Sequence, residues 1–455
     1  MPEVLASIDK HDASNYPSAA IGWYTTILLA LLYWLSLLDR TIISLMVTPI
    51  KQDLGLTDTQ FGLILGAAFA VSFSVFGLIA GTIADRYSRR TIIYVSVTVW
   101  SVATAACGGA ASMWHLLLAR VGVGAGEAGL NPCASSMITD LFPPKKLTLA
   151  LAVYALGASV GAGCAFLFGG VLVEAVSKTP TITLPVIGEV RSWQAVFYII
   201  GLPGIFVALL TFTIPEPKRL GVRNQQKNTS VIKHIVTNYG ELLKFMAQRR
   251  KFFIHHYIGF GLASICFTGG SAWYAEHIAR AFGWDAATRG TALGVSLVAG
   301  GFVGKFVTGT VVGKLTEMGH KNAQFKWYGW SLVAATPIGV FGCMSSNPWV
   351  YLVCLFLFIA MLSPLAAVYI ASLNLVTPNE LRGTGVAFFG TIAGVVSLSA
   401  GPLLIAMFSD YIFGGDAIGL GMALLYGIFC PLAAIALLTG SKAMYNAVSE
   451  AESWN

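Results

Sequence analysis

Asp39 and Arg40 are adjacent charges of opposite sign, deep in an apolar run that begins near Ile21. Arg120 and Glu127 lie seven positions apart in a later apolar run. Ionisable groups at such depth in a bilayer are costly, so they face a cavity or a partner. Neighbours on a helix point roughly 100° apart, so Asp39 and Arg40 cannot satisfy each other face to face. Arg120 and Glu127 share a face at a rise of about 10 Å, with Gly124 leaving open space between them. A carboxylate in this setting can take up and release a proton, and a guanidinium can pair with it or hold an anion. Burial favours the protonated acid, whereas a nearby arginine favours the carboxylate. Asp39 and Glu127 are therefore expected to be protonation sites, with Arg40 and Arg120 as ion-pair partners or substrate head-group ligands. The competing reading is a static ionic network that holds helices together.

Composition says what must carry these residues. The chain has 455 residues, 56% of them hydrophobic and 11% charged. A soluble domain carries about 25% charged residues, so the excess apolar side chains must face lipid. A spanning helix needs about 20 apolar residues. Twelve such stretches can be drawn, over residues 22–49, 60–83, 91–110, 114–139, 147–173, 193–214, 252–280, 287–312, 325–343, 347–374, 384–408 and 419–439. The expected fold is an all-α membrane protein of twelve transmembrane helices in two six-helix bundles. The start of the chain is polar and carries both signs of charge, and the first apolar run is too long for a signal-peptide core.

Orientation follows from Lys and Arg, which favour the cytoplasmic side. With both termini cytoplasmic, twenty of the 28 basic residues fall inside and five outside, Lys51, Lys178, Arg191, Arg280 and Arg289. Nine of the inside residues lie between Lys218 and Lys251, in the one long polar stretch. The domain expectation is a polar tail over 1–21, a six-helix bundle over 22–214, a basic cytoplasmic linker over 215–251, a second bundle over 252–440 and a tail over 441–455. Two echoes join the halves. Gly81-Thr-Ile-Ala-Asp85-Arg86 recurs 228 residues later as Gly309-Thr-Val-Val-Gly313-Lys314, and Leu141-Phe-Pro-Pro144 resembles Leu375-Val-Thr-Pro378.

The run Gly81, Asp85, Arg86, Arg89, Arg90 resembles the loop signature of the major facilitator superfamily, with Ser88 where that family usually has glycine. Leu38-Asp39-Arg40 and Arg120-Val-Gly-Val-Gly124-Ala-Gly126-Glu127 are similar to the spinster-type branch, whose animal members move sphingosine-1-phosphate or lysophospholipids. The chain looks like a bacterial member. The resemblance implies that the first and fourth spans line a central cavity, and that Gly81, Asp85, Arg86, Arg89 and Arg90 form an inner gate latching the two halves. It also implies a lysophospholipid- or sphingolipid-like substrate. Gly157-x-x-x-Gly161 in the fifth span is followed by Ala162, where the family's antiporter signature has proline.

Aromatic residues that could line the cavity are Tyr33, Phe69, Phe73, Tyr154, Trp273, Tyr274 and Tyr369, although an aromatic stripe at helical spacing more often packs or faces lipid. Gly269-Gly270 and Ser363-Pro364 could break their helices, as broken helices often mark transporter sites. His255 and His256 are expected at the membrane surface. Gly124-Ala-Gly126-Glu127-Ala-Gly129 matches G-x-G-x-x-G but has no preceding strand, so helix packing explains it better than a dinucleotide. Gly304-Lys305 lacks the first glycine of a phosphate loop. Asn228-Thr-Ser230 is a formal glycosylation sequon in a stretch expected to be cytoplasmic. The seven cysteines form no C-x-x-C pair. No metal, cofactor or nucleic acid is expected.

The expected function is a proton-coupled secondary transporter of an amphipathic anionic or zwitterionic molecule, working by alternating access as a monomer. It would sit in the plasma membrane, which is the inner membrane in a Gram-negative bacterium. The alternatives are a proton-coupled exporter of drugs or small organic anions, or a sensor on the same scaffold. A lipid-modifying enzyme finds no support in H-E-x-x-H, G-x-S-x-G or clustered metal-ligand patterns.

Overall fold

A computed structural model describes residues 16–84, 87–185, 187–219 and 231–452. Capping residues set many of the helix ends. The chain enters α1 (Ala19–Thr41), passes a 3-10 turn (Ile42–Leu45), and continues as α2 (Val47–Leu54). Gly55 stops α2 at φ 65°, a left-handed conformation that glycine adopts without strain. Thr57 and Gln60 form a reciprocal capping box at the start of α3 (Asp58–Gly62). A π-helical turn (Leu63–Ala67) then leads into α4 (Ala68–Ala84). Ser88 caps α5 (Arg89–Gly108) by accepting the Thr91 N–H at 3.3 Å, which gives this serine a purpose where the resembling family has glycine.

The fourth expected span is broken. It forms α6 (Met113–Glu127) and α7 (Leu130–Leu141), interrupted at Ala128 and Gly129. Next come α8 (Pro144–Ser177), α9 (Ser192–Leu209) and a closing 3-10 turn (Leu210–Thr213). Between α8 and α9 lies a small antiparallel hairpin, β1 (Thr181–Leu184) and β2 (Gly188–Arg191), with Thr181 opposite Arg191. The hairpin fills the interval between the expected spans 147–173 and 193–214.

After the linker helix α10 (Val231–Gln248) come α11 (Arg250–Phe282), α12 (Ala286–Glu317) and α13 (Ala323–Met344). Asn347 and Pro348 start α14 (Pro348–Leu362), and α15 (Leu365–Val376) follows. Helix ten is thus broken at Ser363-Pro364. Helix seven, in contrast, runs unbroken through Gly269-Gly270. A Cβ on Gly270 would stand 2.1 Å from the Tyr426 hydroxyl, so this glycine serves close packing. The chain ends with α16 (Asn379–Met407), a π-helical turn (Phe408–Ile412) and α17 (Ile418–Glu452). The tail expected from residue 441 therefore continues as helix.

Ten helical stretches among the described residues are long and apolar enough to cross a membrane. The other two expected spans, α6 with α7 and α13, are helical as well. Phe302 and Phe306 are 73% and 68% exposed, as befits a face turned to hydrocarbon.

The chain divides into two compact units, Met1–Ile43 with Val71–Arg223, and Ser44–Ala70 with Asn224–Asn455. In the first, α1 packs on α8, and α5 packs on α6 and α9. In the second, α11 packs on α16 and α17, and α13 packs on α14 and α17. The two crossings near residues 43 and 70 lie beside the 3-10 turn and the π-helical turn.

Candidate functional site

Within the first unit, three of the four intramembrane charges are buried. Asp39 is 3% exposed, Arg120 1% and Glu127 2%. The Arg40 guanidinium donates to Glu127 Oε2 at 2.6 Å and lies over the Phe73 ring at 5.2 Å. Arg120 donates to the backbone carbonyl of Asp39 at 3.3 Å. Two carboxylate oxygens, Asp39 Oδ1 and Glu127 Oε1, have no hydrogen-bond partner among the described residues. Trp100 and Thr104 stand beside the Asp39 carboxyl, and Ser36 beside that of Glu127. The pairing thus runs between α1 and α6. Arg120 and Glu127, which share a helix face, reach across to α1 instead of toward each other.

Glycines at the end of α6 and in the break after it set how closely the chain approaches α5 here. A Cβ on Gly126 would meet the Trp100 backbone nitrogen at 2.5 Å, and one on Gly129 the Ser96 hydroxyl at 2.2 Å. The G-x-G-x-x-G run is therefore a packing face against α5. It sets Glu127 at the end of α6, where the helix breaks, and leaves no room for a dinucleotide.

The loop signature has a different geometry. Asp85 and Arg86 lie outside the described residues. Gly81 lies on α4, and a Cβ there would meet nothing within 4 Å among the described residues. Arg89 is 1% exposed and braces the first unit internally. It pairs with Asp140 and with Glu216 Oε1 at 2.9 Å, and donates to Ser136 at 3.0 Å and to the Pro217 carbonyl at 2.8 Å. The Arg90 N–H and the Ser88 hydroxyl each donate to Glu216 Oε2 at 2.8 Å. Sequence reasoning missed Glu216, which it had read only as linker. Burial opposes the Glu216 charge, but the Arg90 N–H, the Arg89 guanidinium and the Ser88 hydroxyl outweigh it and hold the carboxyl below its ordinary range.

The aromatic candidates separate into groups. Tyr33 stacks on Tyr154 at 5.3 Å, and the Tyr154 hydroxyl donates to Asn131 at 2.6 Å. Phe73 carries Arg40. Phe69, Trp273 and Tyr274 are buried packing residues in the second unit, with the Trp273 indole donating to the Pro402 carbonyl at 2.9 Å. Tyr369 packs on Phe389 at 4.7 Å. His256 is not at a surface. It is fully buried among Phe252, Phe260 and Phe389, with Nε2 3.2 Å from the Tyr369 carbonyl.

A second ionic cluster lies wholly in the second unit. Asp58 is fully buried and takes both Arg280 terminal nitrogens, at 2.8 and 2.9 Å, with Lys51 and the Ser409 hydroxyl also bonded to it. Glu276 accepts from Arg280 at 2.7 Å and from Thr48 at 2.6 Å. This cluster fastens Ser44–Ala70 to α11. In sequence, Lys51 and Arg280 served only to set orientation, because the Asp58 that joins them lies 222 positions from Arg280.

Comparison with known proteins places these residues in context. The model of the Major Facilitator Superfamily matches residues 29–325. An MFS-type efflux pump of Mycolicibacterium smegmatis is 26% identical over 432 residues, covering 92% of this chain and 92% of its own. Protein spinster homolog 1 of Xenopus tropicalis is 26% identical over 420 residues, covering 86% of this chain and 74% of its own. Among solved structures, a bacterial homolog of the human lysosomal transporter spinster, inward-facing and unoccupied, matches with a TM-score of 0.76 and 26% identity. That match covers 95% of this chain and 98% of the other.

The Glu216 network makes a pH prediction. A carboxyl whose folded pKa is depressed stabilises the fold above its unfolded pKa, and that contribution is lost as pH falls through the folded value. Glu216→Gln should lower the Tm at neutral pH, modestly because the side chain is 28% exposed. The gap to the parent should close on acidification. A gap that stays constant with pH would show that the Glu216 charge is not what stabilises.

Proposed function

We propose that this chain, which belongs to the Major Facilitator Superfamily, is a proton-coupled secondary transporter of an amphipathic anionic or zwitterionic molecule, with Asp39 and Glu127 as the proton-binding groups. One observation carries the reading: four charges gathered within two apolar helices, with the Arg40–Glu127 pair at 2.6 Å and one oxygen of each carboxylate unbonded among the described residues. A carboxylate held by a single arginine can exchange that partner for a proton at little net cost, since either one neutralises it. When the proton replaces the arginine, Arg40 is released toward an anionic head group. When the proton leaves, the pair re-forms. Proton and anionic substrate therefore favour each other's binding through one ion pair, which is the minimum needed to couple their movements.

A lysophospholipid- or sphingolipid-like substrate is supported by the likeness to spinster proteins. A second reading, export of drugs or small organic anions, is supported by the efflux pump that matches over nearly the whole chain. Asp85, with Gly81, Arg86, Arg89 and Arg90 of the same signature, is proposed to control exchange between inward and outward states. In proteoliposomes given a panel of lysophospholipids and organic anions, Glu127→Gln should keep counterflow but lose accumulation driven by a pH gradient. Asp85→Asn should slow exchange at unchanged affinity. Full pH-driven accumulation by Glu127→Gln would remove Glu127 from the mechanism, and an Asp85→Asn defect lying wholly in binding would remove Asp85 from the gate.

The proposed location is the plasma membrane, with both termini cytoplasmic, because nine Lys and Arg residues lie between Lys218 and Lys251. A single cysteine at Asn228 in a cysteine-free background should resist an impermeant thiol reagent added outside cells. Labelling as strong as that of a cysteine replacing Thr179 would reverse the orientation.

A further inference from the structure

Within the second unit, α11, α15 and α16 enclose a recess of about 140 Å³. Thr268, Tyr369, Phe389, Gly390, Gly394 and Ser397 form much of its lining. Thr268 is near the middle of α11 and Gly394 near the middle of α16, so the recess lies at mid-membrane depth. Tyr369 follows the Ser363-Pro364 break between α14 and α15. Interrupted helices at the midplane are where transporters of this architecture bind their cargo.

Glycine makes the space. Among the described residues, a Cβ on Gly394 would meet nothing within 4 Å, and one on Gly390 would meet only the Tyr369 hydroxyl, at 3.8 Å. Two of the lining hydroxyls are already engaged. Thr268 donates to the Ser397 carbonyl at 2.6 Å, and Ser264 to the Phe260 carbonyl at 2.8 Å. These walls therefore present mostly apolar surface to a ligand. His256 steadies them from behind, packing on Phe389 at 4.8 Å and contacting the Tyr369 carbonyl. A dry apolar cavity of about 150 Å³ takes one benzene molecule.

We infer that this recess is a subsite for the apolar end of the transported molecule, sized for one aromatic ring or a branched alkyl group of similar bulk. The inference rests on the transporter reading and adds to it a limit on what the cargo's apolar end can be. A long unbranched chain would have to leave the recess after its first few carbons.

The test uses the full-length protein in lipid nanodiscs with a neutral aryl photolabel, trifluoromethyl phenyl diazirine, mapped by mass spectrometry. In the parent protein, label at Thr268, Tyr369 and Phe389 should exceed that at Phe302 and Phe306, which report contact with bulk lipid. Gly394→Leu fills the space and should cut the recess label by about tenfold, the scale expected for an aromatic ring denied burial. The label at Phe302 and Phe306 should be unchanged, and Gly390→Leu provides a second filling variant if the first misfolds. Phenylbutyrate should protect the recess, whereas butyrate, which has the same head group and no ring, should not. Recess label no greater than at Phe302 and Phe306, insensitivity to both filling variants, or equal protection by the two acids would overturn the subsite. Glu127→Gln should leave the labelling intact, so failure of the proton-coupling reading and failure of the subsite give different results.

Discussion

A charge among apolar side chains must be paired, protonated or hydrated, and the first six spans are organised around that constraint. Four ionisable side chains lie on α1 and α6, and three of them are almost fully buried. An isolated ion at this depth would cost several kcal/mol or more. The Arg40–Glu127 pair meets part of the cost, and the cation–π contact of Arg40 with Phe73 adds a softer partner. One oxygen each of Asp39 and Glu127 is left without a hydrogen bond among the described residues. A network with every oxygen satisfied would be a strut. One with reserve capacity can change partners.

The packing of the first unit keeps that network in place. Gly126 and Gly129 bring α6 against α5 closely enough that any side chain would collide with Trp100 or Ser96. Arg89, Asp140 and Glu216 then tie the start of α5 and the end of α7 to the segment following α9. In the second unit the Asp58–Arg280–Glu276 cluster does a related task, holding Ser44–Ala70 on α11. Both braces use arginine, whose planar fork can bind two acceptors at once. The helices lose their α-helical regularity at Ile42–Leu45 and Leu63–Ala67, close to where the chain passes from one unit to the other.

Most of the helix pattern was legible in the sequence because lipid imposes a simple rule, a long apolar run for each crossing. Asp39, Arg40, Arg120 and Glu127 were legible because charge stands out against that background. The pairing was less so, since seven-residue spacing joins Arg120 and Glu127 on one face yet says nothing about α1. The break after Glu127 escaped notice because Ala128-Gly129 has no proline, whereas Ser363-Pro364 announced itself. The pairing of Asp58 with Arg280 was hidden by distance, with more than 200 positions between them. His256 misled through its position, close to the start of a span and next to His255. The hairpin at Thr181–Arg191 was too short to give a strand signal. The family likeness fixed the scaffold and left the cargo open, because cargo depends on recesses such as that between α11 and α16, which adjacent sequence does not reveal.

The central claim is that Asp39 and Glu127 hold exchangeable protons inside the membrane. Infrared difference spectroscopy of the reconstituted protein reads this directly, since a protonated carboxyl has a carbonyl stretching band that a carboxylate lacks. The expected result is a buried carboxyl band that appears on acidification, loses one component in Glu127→Gln and another in Asp39→Asn, and moves in pH when Arg40 is replaced by alanine. A spectrum with no titrating buried carboxyl, or with a band unchanged in both variants, would contradict proton binding at these residues.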